Sequence, residues 1–280
     1  MKNNIYILLL IFIIIYVLFR VRTYDKFENQ EETIPKIIWS HWDNLNTLPA
    51  FTKNTMEERN KKLSDWTIIS IDNTNINKYI NDNDYPEKYN TLGIQHQADW
   101  IRLFLLKKYG GLWLDMGIII NSGDEINKIY LDSIKERSEL TAFYLNGRLL
   151  NNNPMTYIEN WFIMAPKNSR VINAWFDEFN LAINMGFLEY RNYITNLGVD
   201  TQFIYFSEDD TYLTMHAAIQ KIIQLNIIDT PRIKLYKAED TMYKIHELCN
   251  WDIDCIKDTV KNDENTENIP FIKLRGIDRP

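Results

Sequence analysis

The 280 residues carry 31 Lys and Arg against 38 Asp and Glu, a net charge of −7. That balance excludes a general nucleic-acid grip, which needs a basic face toward the phosphates. With 45% hydrophobic and 25% charged residues, the chain has the composition of a globular protein large enough to build a core without a disulfide framework or a structural metal.

Ile5 to Phe19 is an unbroken apolar run. As a helix it spans about 22 Å, short of the roughly 30 Å of a hydrocarbon core. Asn3, Asn4 and Val21 extend it, Arg20 can snorkel, and Tyr6 and Tyr16 sit near its ends. The residues from Arg20 to Asp25 lack the small-x-small pattern of a signal-peptidase site, so residues 1–22 read as an uncleaved transmembrane anchor rather than a signal peptide or a core helix. This places the protein in a membrane by a single N-terminal span. Lys2 on one side and Arg20, Arg22 and Lys26 on the other leave the orientation open. No Asn-x-Ser/Thr triplet occurs, which argues against N-glycosylation. Residues 23–34 are polar and acidic and read as a stem, leaving 35–280 as the folded domain.

The domain opens on a short strand at Lys36–Ser40. A charged helix over 47–63 follows, then a strand at Trp66–Ile71 and a short helix around Ile76–Ile80. Alternation of strand and helix is the rhythm of an α/β fold. Gln95–Tyr109 reads as a helix with Ala98, Ile101, Leu105 and Leu106 as its apolar stripe. Lys107 and Lys108 suit its last turn, and Gly110 suits the left-handed position after it. Asp99 and Arg102, three apart, share one face, as a surface ion pair or a pocket wall. Leu112–Ile120 then reads as a buried strand with one carboxylate, Asp115, in its middle. A buried carboxylate must be paired, hydrogen-bonded or metal-bound. Asp209-Asp210-Thr211 opens a helix carrying His216, with Asp210 as an ordinary N-cap. Cys249 and Cys255 permit a small disulfide loop but make no framework. Residues 225–280 carry no readable motif, and Asn262–Asn268 reads as an acidic loop.

The string Ala98-Asp99, Arg102, Leu106, Tyr109-Gly110-Gly111, Asp115 resembles the signature of DxD-type glycosyltransferases. It is most similar to that of the capsular polysaccharide synthesis proteins, relatives of the family 32 transferases. Ile34 to Trp39 resembles the first strand of these proteins, and Glu159 to Ala165 their acceptor-side strand. The likeness covers roughly residues 34–220.

The resemblance implies a GT-A-type fold, a Rossmann-like mixed sheet, mostly parallel, flanked by helices. The nucleotide sugar would lie at the carboxyl ends of the strands. It implies transfer of a sugar from a nucleotide-sugar donor to a glycan or other acceptor, with retention of configuration. By the same pattern Asp99 binds donor hydroxyls, Arg102 touches the sugar or diphosphate, and Trp39 and His41 lie at base and ribose. Gly110 and Gly111 belong to the donor-binding signature, while Asn160 and Trp161 face the acceptor. Trp42 is either a stacking residue or a core tryptophan, and His96 a site, capping or surface residue. A divalent Mn²⁺ or Mg²⁺ would sit on the DxD carboxylates. Here the triplet is Asp115-Met116-Gly117, so the second carboxylate is missing, and His216 is the further candidate ligand. Two other function classes compete. One is a degenerate membrane-anchored sugar- or nucleotide-binding module; the other, ranked last for want of carboxylates, is a two-metal nucleotidyltransferase.

Overall fold

A computed structural model describes residues 33–207, 209–261 and 266–279. The anchor expected over residues 1–22 lies outside the described residues, as does most of the stem. No helix among the described residues is long and apolar enough to cross a membrane.

Strand β1 (Ile37–His41) is buried at its centre, and the chain leaves it through Pro49 into helix α1 (Ala50–Lys62). Helix α1 returns it to β2 (Thr67–Ile71), parallel to β1. The short helix expected near Ile76 is a single 3₁₀ turn, Ile76–Lys78. Helix α2 (Ile94–Tyr109) then leads to β3 (Gly111–Leu114), parallel to β1 on its other side. Rather than one apolar stripe, α2 buries every residue from Trp100 to Leu106, because it lies between the sheet and a second helix.

Gly110 and Gly111 join α2 to β3 with φ of +69° and +103°. A Cβ on Gly110 would lie 2.5 Å from the Lys167 main-chain nitrogen, and one on Gly111 2.6 Å from the Ile37 carbonyl oxygen. Both glycines are therefore needed for the turn and for close approach of backbone to backbone.

The strand expected over 112–120 is two strands. After β3 the chain turns at Asp115–Gly117 into β4 (Ile118–Ile120), which belongs to a different, two-stranded sheet. Helix α3 (Gly123–Lys135), strand β5 (Leu140–Tyr144) and strand β6 (Ile158–Ala165) follow. Next come helices α4 (Arg170–Met185), α5 (Phe187–Asn196) and α6 (Thr214–Gln224), then strand β7 (Ile233–Lys237). Helices α7 (Lys244–Leu248) and α8 (Ile253–Lys261) precede β8 (Phe271–Lys273). Cys249 and Cys255 are joined in a disulfide at the α7–α8 turn.

The main sheet runs β2-β1-β3-β6-β5-β7. It is mixed: β6 is antiparallel to both β3 and β5, and the other pairings are parallel. One face is covered by a core around Trp100, Leu103, Trp175 and Phe179, the other by a core around Leu63, Leu114, Ile126 and Phe162. This is the α/β mixed sheet flanked by helices that the sequence implied. Strand β8 pairs antiparallel with β4, with Ile118 opposite Lys273. The C-terminal segment is thereby brought back to the turn at Asp115.

Candidate active site

Strands β1 and β3 run parallel and end side by side, and the antiparallel β6 begins beside the end of β3. A cleft of about 720 Å³ opens at these ends, lined by His41, Asp99, Arg102, Asp115, Asn160 and His216 among others. A crevice at the carboxyl ends of strands, where neighbours diverge, is where open α/β sheets bind ligands.

Helix α2 supplies the first pair. The side chains of Asp99 and Arg102 are 9% and 6% exposed and form an ion pair, which removes the surface-pair reading. Buried charges of this kind persist only when further hydrogen bonds complete them. Asp99 Oδ1 also accepts from Asn160 Nδ2 at 3.1 Å. The Arg102 guanidinium lies over the Trp113 ring at 4.8 Å and donates to Asp115 Oδ1 at 3.3 Å. Helix α2, the end of β3 and the start of β6 are thus tied into one polar network.

Asp115 is the centre of that network. Its Oδ1 also accepts from Trp113 Nε1 at 3.0 Å, and its Oδ2 from Lys273 Nζ at 3.2 Å. Burial alone would raise its pKa, but the charges of Lys273 and Arg102 and the bonds from Trp113 and Lys273 hold the carboxyl below its ordinary value. The turn itself is fixed from beneath. Arg59, 1% exposed, donates to the carbonyls of Asp115, Met116 and Ile118 at 2.8, 3.1 and 3.1 Å.

The remaining expected residues divide. His41 and Trp42 line the cleft, as do Asn160 and Trp161. His41 is pushed down to about 4, chiefly by burial. Trp39 does not reach the cleft: it is 1% exposed, bonds the Gly110 carbonyl through Nε1 at 2.9 Å and packs between Tyr79 and Tyr109. Its place in the middle of a buried strand makes it a core residue, not a base platform. Gly110 and Gly111 are likewise buried away from the cleft and act through the backbone. His96 is neither a cap nor a surface residue; its ring lies 4.3 Å from that of Phe187, behind Asp99. The helix bearing His216 begins at Thr214, and Asp210 is not its cap. Asp210 accepts instead from the main-chain nitrogens of Phe206 and Tyr212.

Several residues that support or line the cleft carried little or no sequence signal. Arg59 was hidden in a helix of charged composition; its only trace was the spacing of the buried residues Thr52, Thr55 and Arg59. Lys273, Arg275 and Arg279 come from the C-terminal segment. Phe206 and Tyr212 stand 61% and 63% exposed at the cleft.

The donor set does not suit a divalent metal. Both oxygens of Asp115 face cationic or N–H donors, and Gly117 offers no ligand. His216 lies 3.7 Å from Glu159, and both its ring nitrogens lack a hydrogen-bond partner. Among the described residues no three His, Cys, Asp or Glu side chains come together as a metal site.

Residues 16–272 match the family described as "Capsular polysaccharide synthesis protein". The chain belongs to that family. This capsular-family chain is 27% identical over 162 residues to the O-glycosyltransferase braB of Annulohypoxylon truncatum, covering 52% of the chain and 37% of that protein. It is 26% identical over 156 residues to the glycosyltransferase afumC of Aspergillus fumigatus, covering 51% and 39%. The matched region thus spans well under half the length of these relatives. Among solved structures, the glycosyltransferase described as PaToxG is 17% identical, with a TM-score of 0.39 over 73% of this chain and 76% of that one. A glycosyltransferase involved in glycosylating the major capsid of PBCV-1 is 11% identical, with a TM-score of 0.42 over 86% and 94%.

Proposed function

We propose that this protein is a glycosyltransferase that moves a sugar from a nucleotide-sugar donor to a glycan or glycoconjugate acceptor, with retention of configuration. The observation that carries it is the network of Asp99, Arg102, Asp115 and Asn160 in one cleft at the ends of β1, β3 and β6. Asp99 and Arg102 lock each other's rotamers, so the carboxylate is held in place to accept from donor hydroxyls. The planar guanidinium of Arg102 suits sugar or phosphate oxygens. His41 and Trp42 flank the nucleotide, and the exposed rings of Phe206 and Tyr212 offer flat faces to an acceptor sugar. Family membership and the glycosyltransferase relatives support the reading.

The apolar run Ile5–Phe19 anchors the protein in a membrane in this proposal. Fractionation of the full chain with membranes, and of a chain lacking residues 1–22 without them, is the expected result. Co-sedimentation of the shortened chain counts against it.

A screen of sugar nucleotides for release of the nucleoside diphosphate tests the activity, with Asp115→Ala as the control and the anomeric configuration of any product read by NMR. A second reading, a binding module without turnover, is favoured by Gly117 at the second carboxylate position. Binding of a sugar nucleotide with no release of product by the wild-type chain decides for it.

A further inference from the structure

Taking sugar-nucleotide transfer as the reaction, we propose that Arg279 and Lys273 bind the donor diphosphate in place of a divalent metal, so that the protein works without one. Three observations converge on the turn at Asp115–Gly117.

First, Gly117 stands where the motif calls for a second carboxylate, and the space above it is filled by a cation. A Cβ on Gly117 would lie 2.8 Å from Arg279 Nη2 and 3.0 Å from its Cζ. Second, Arg279 has no carboxylate partner among the described residues, its Nε is buried without any acceptor, and its guanidinium lies 5.9 Å from the ring of Trp42. Both Arg279 and Trp42 line the cleft. A guanidinium held there lacks an acceptor that a phosphate oxygen would supply, and its planar fork suits two such oxygens. Third, Lys273 reaches the same turn from β8 and is 11% exposed, bonded to Asp115 Oδ2. Arg275, by contrast, is engaged by Asp278 through bonds of 2.7 Å from both Nε and Nη2. Among the described residues, Arg279 is therefore a cation at this turn left to meet an anion.

In the transfer step the bond between the anomeric carbon and the diphosphate oxygen breaks, and its electron pair stays on that oxygen. The acceptor hydroxyl oxygen forms the new bond to the anomeric carbon, and its proton passes to the departing diphosphate. The charge that develops on the leaving group is met by Arg279 and Lys273. A metal would meet the same charge, but two cations already face the Asp115 carboxylate of the motif.

The test is calorimetric titration of the full-length chain with UDP, GDP, ADP and CDP, each in EDTA and in Mn²⁺ or Mg²⁺. The tightest of these is expected to bind in EDTA within about threefold of its affinity in metal. Arg279→Gln is expected to weaken binding in EDTA by about tenfold or more. Gly117→Asp, which gives Arg279 a carboxylate partner, is expected to weaken it as well. Binding only in metal overturns the proposal and leaves the sugar-nucleotide reading intact. So does Arg279→Gln binding like wild type. No binding of any nucleoside diphosphate in either buffer overturns that reading too. The comparison of EDTA with metal on the wild-type chain decides even if a variant melts early.

Discussion

Arg59 Nη2 donates to the main-chain carbonyl of Asp115 at 2.8 Å, so a side chain 56 residues earlier holds the residue on which the cleft is centred. Arg59 Nη1 also donates to Ser40 Oγ at 2.8 Å, and Ser40 in turn donates to the Leu114 carbonyl at 2.6 Å. The guanidinium is desolvated, which draws its pKa down to about 10 against the opposing charge of Asp115, and at that value it stays charged at neutral pH. Arg59→Leu removes the charge and its bonds to the Asp115, Met116 and Ile118 carbonyls, of which Asp115 keeps the Ile118 main-chain nitrogen as a donor. Each such loss costs about 1–3 kcal/mol, so a fall of about 3 kcal/mol or more in unfolding free energy is expected by urea denaturation. Arg59→Lys should retain part of it. A change within about 0.5 kcal/mol for Arg59→Leu would mean that the turn holds itself.

Asp99 and Arg102 are expected to matter to kinetics in different ways. Asp99→Asn keeps the shape and its contact with Asn160 but loses the charge, so turnover should fall and donor choice broaden. Arg102→Lys loses the fork that reaches Asp99 and Asp115 together, so the donor KM should rise. Because both residues are buried and paired, some stability is lost as well. Activity must therefore fall further than melting temperature predicts. Loss of activity in proportion to unfolding would reduce the pair to a structural role.

Asp115→Ala should abolish transfer while the chain still folds. The carboxylate is 27% exposed and sits at a strand end, so its removal opens no large cavity. It does leave Lys273 and Arg102 without their shared partner, and repulsion between them should cost about 1 kcal/mol by thermal melt. Near wild-type turnover in this variant would move the reaction centre elsewhere in the cleft.

The sequence made the cleft legible where chemistry is local. Asp99 and Arg102 are one helical turn apart, so spacing put them on one face, while the choice of a pocket wall over a surface pair came from the family resemblance. It misled at Trp39, Gly110 and Gly111, because a motif marks residues that build a site as readily as residues that line it. The strand 112–120 looked continuous because Leu112–Leu114 and Ile118–Ile120 are both apolar. The break comes from pairing with β8, about 150 residues later, which no local pattern records. Arg59, Lys273 and Arg279 were invisible for the same reason: each reaches the turn through tertiary contact. The sheet's alternation of helix and strand was readable, but the antiparallel placement of β6 between β3 and β5 was not, since both depend on long-range register.

His41 supplies the last prediction. It ends β1 at the cleft, and its Nε2 is buried without a partner. Burial chiefly lowers its pKa, to about 4; Asp43 and Asp72 oppose the shift and Arg102 adds to it. An unfolded histidine titrates near 6.5, so between pH 6.5 and about 4 the unfolded chain binds more protons than the folded one. Stability from this group is therefore fully present above the unfolded value and declines as pH falls toward the folded value, at up to about 1.4 kcal/mol per pH unit. His246 is also lowered by burial and slopes the same way, so the comparison must be between wild type and a His41 variant. His41→Gln, which cannot titrate, should lose on the order of 2 kcal/mol less than wild type between pH 7 and pH 5. Urea denaturation of both proteins at the two pH values measures it. Equal losses would show that His41 takes up its proton in the folded protein without penalty, and that the end of β1 is open to water.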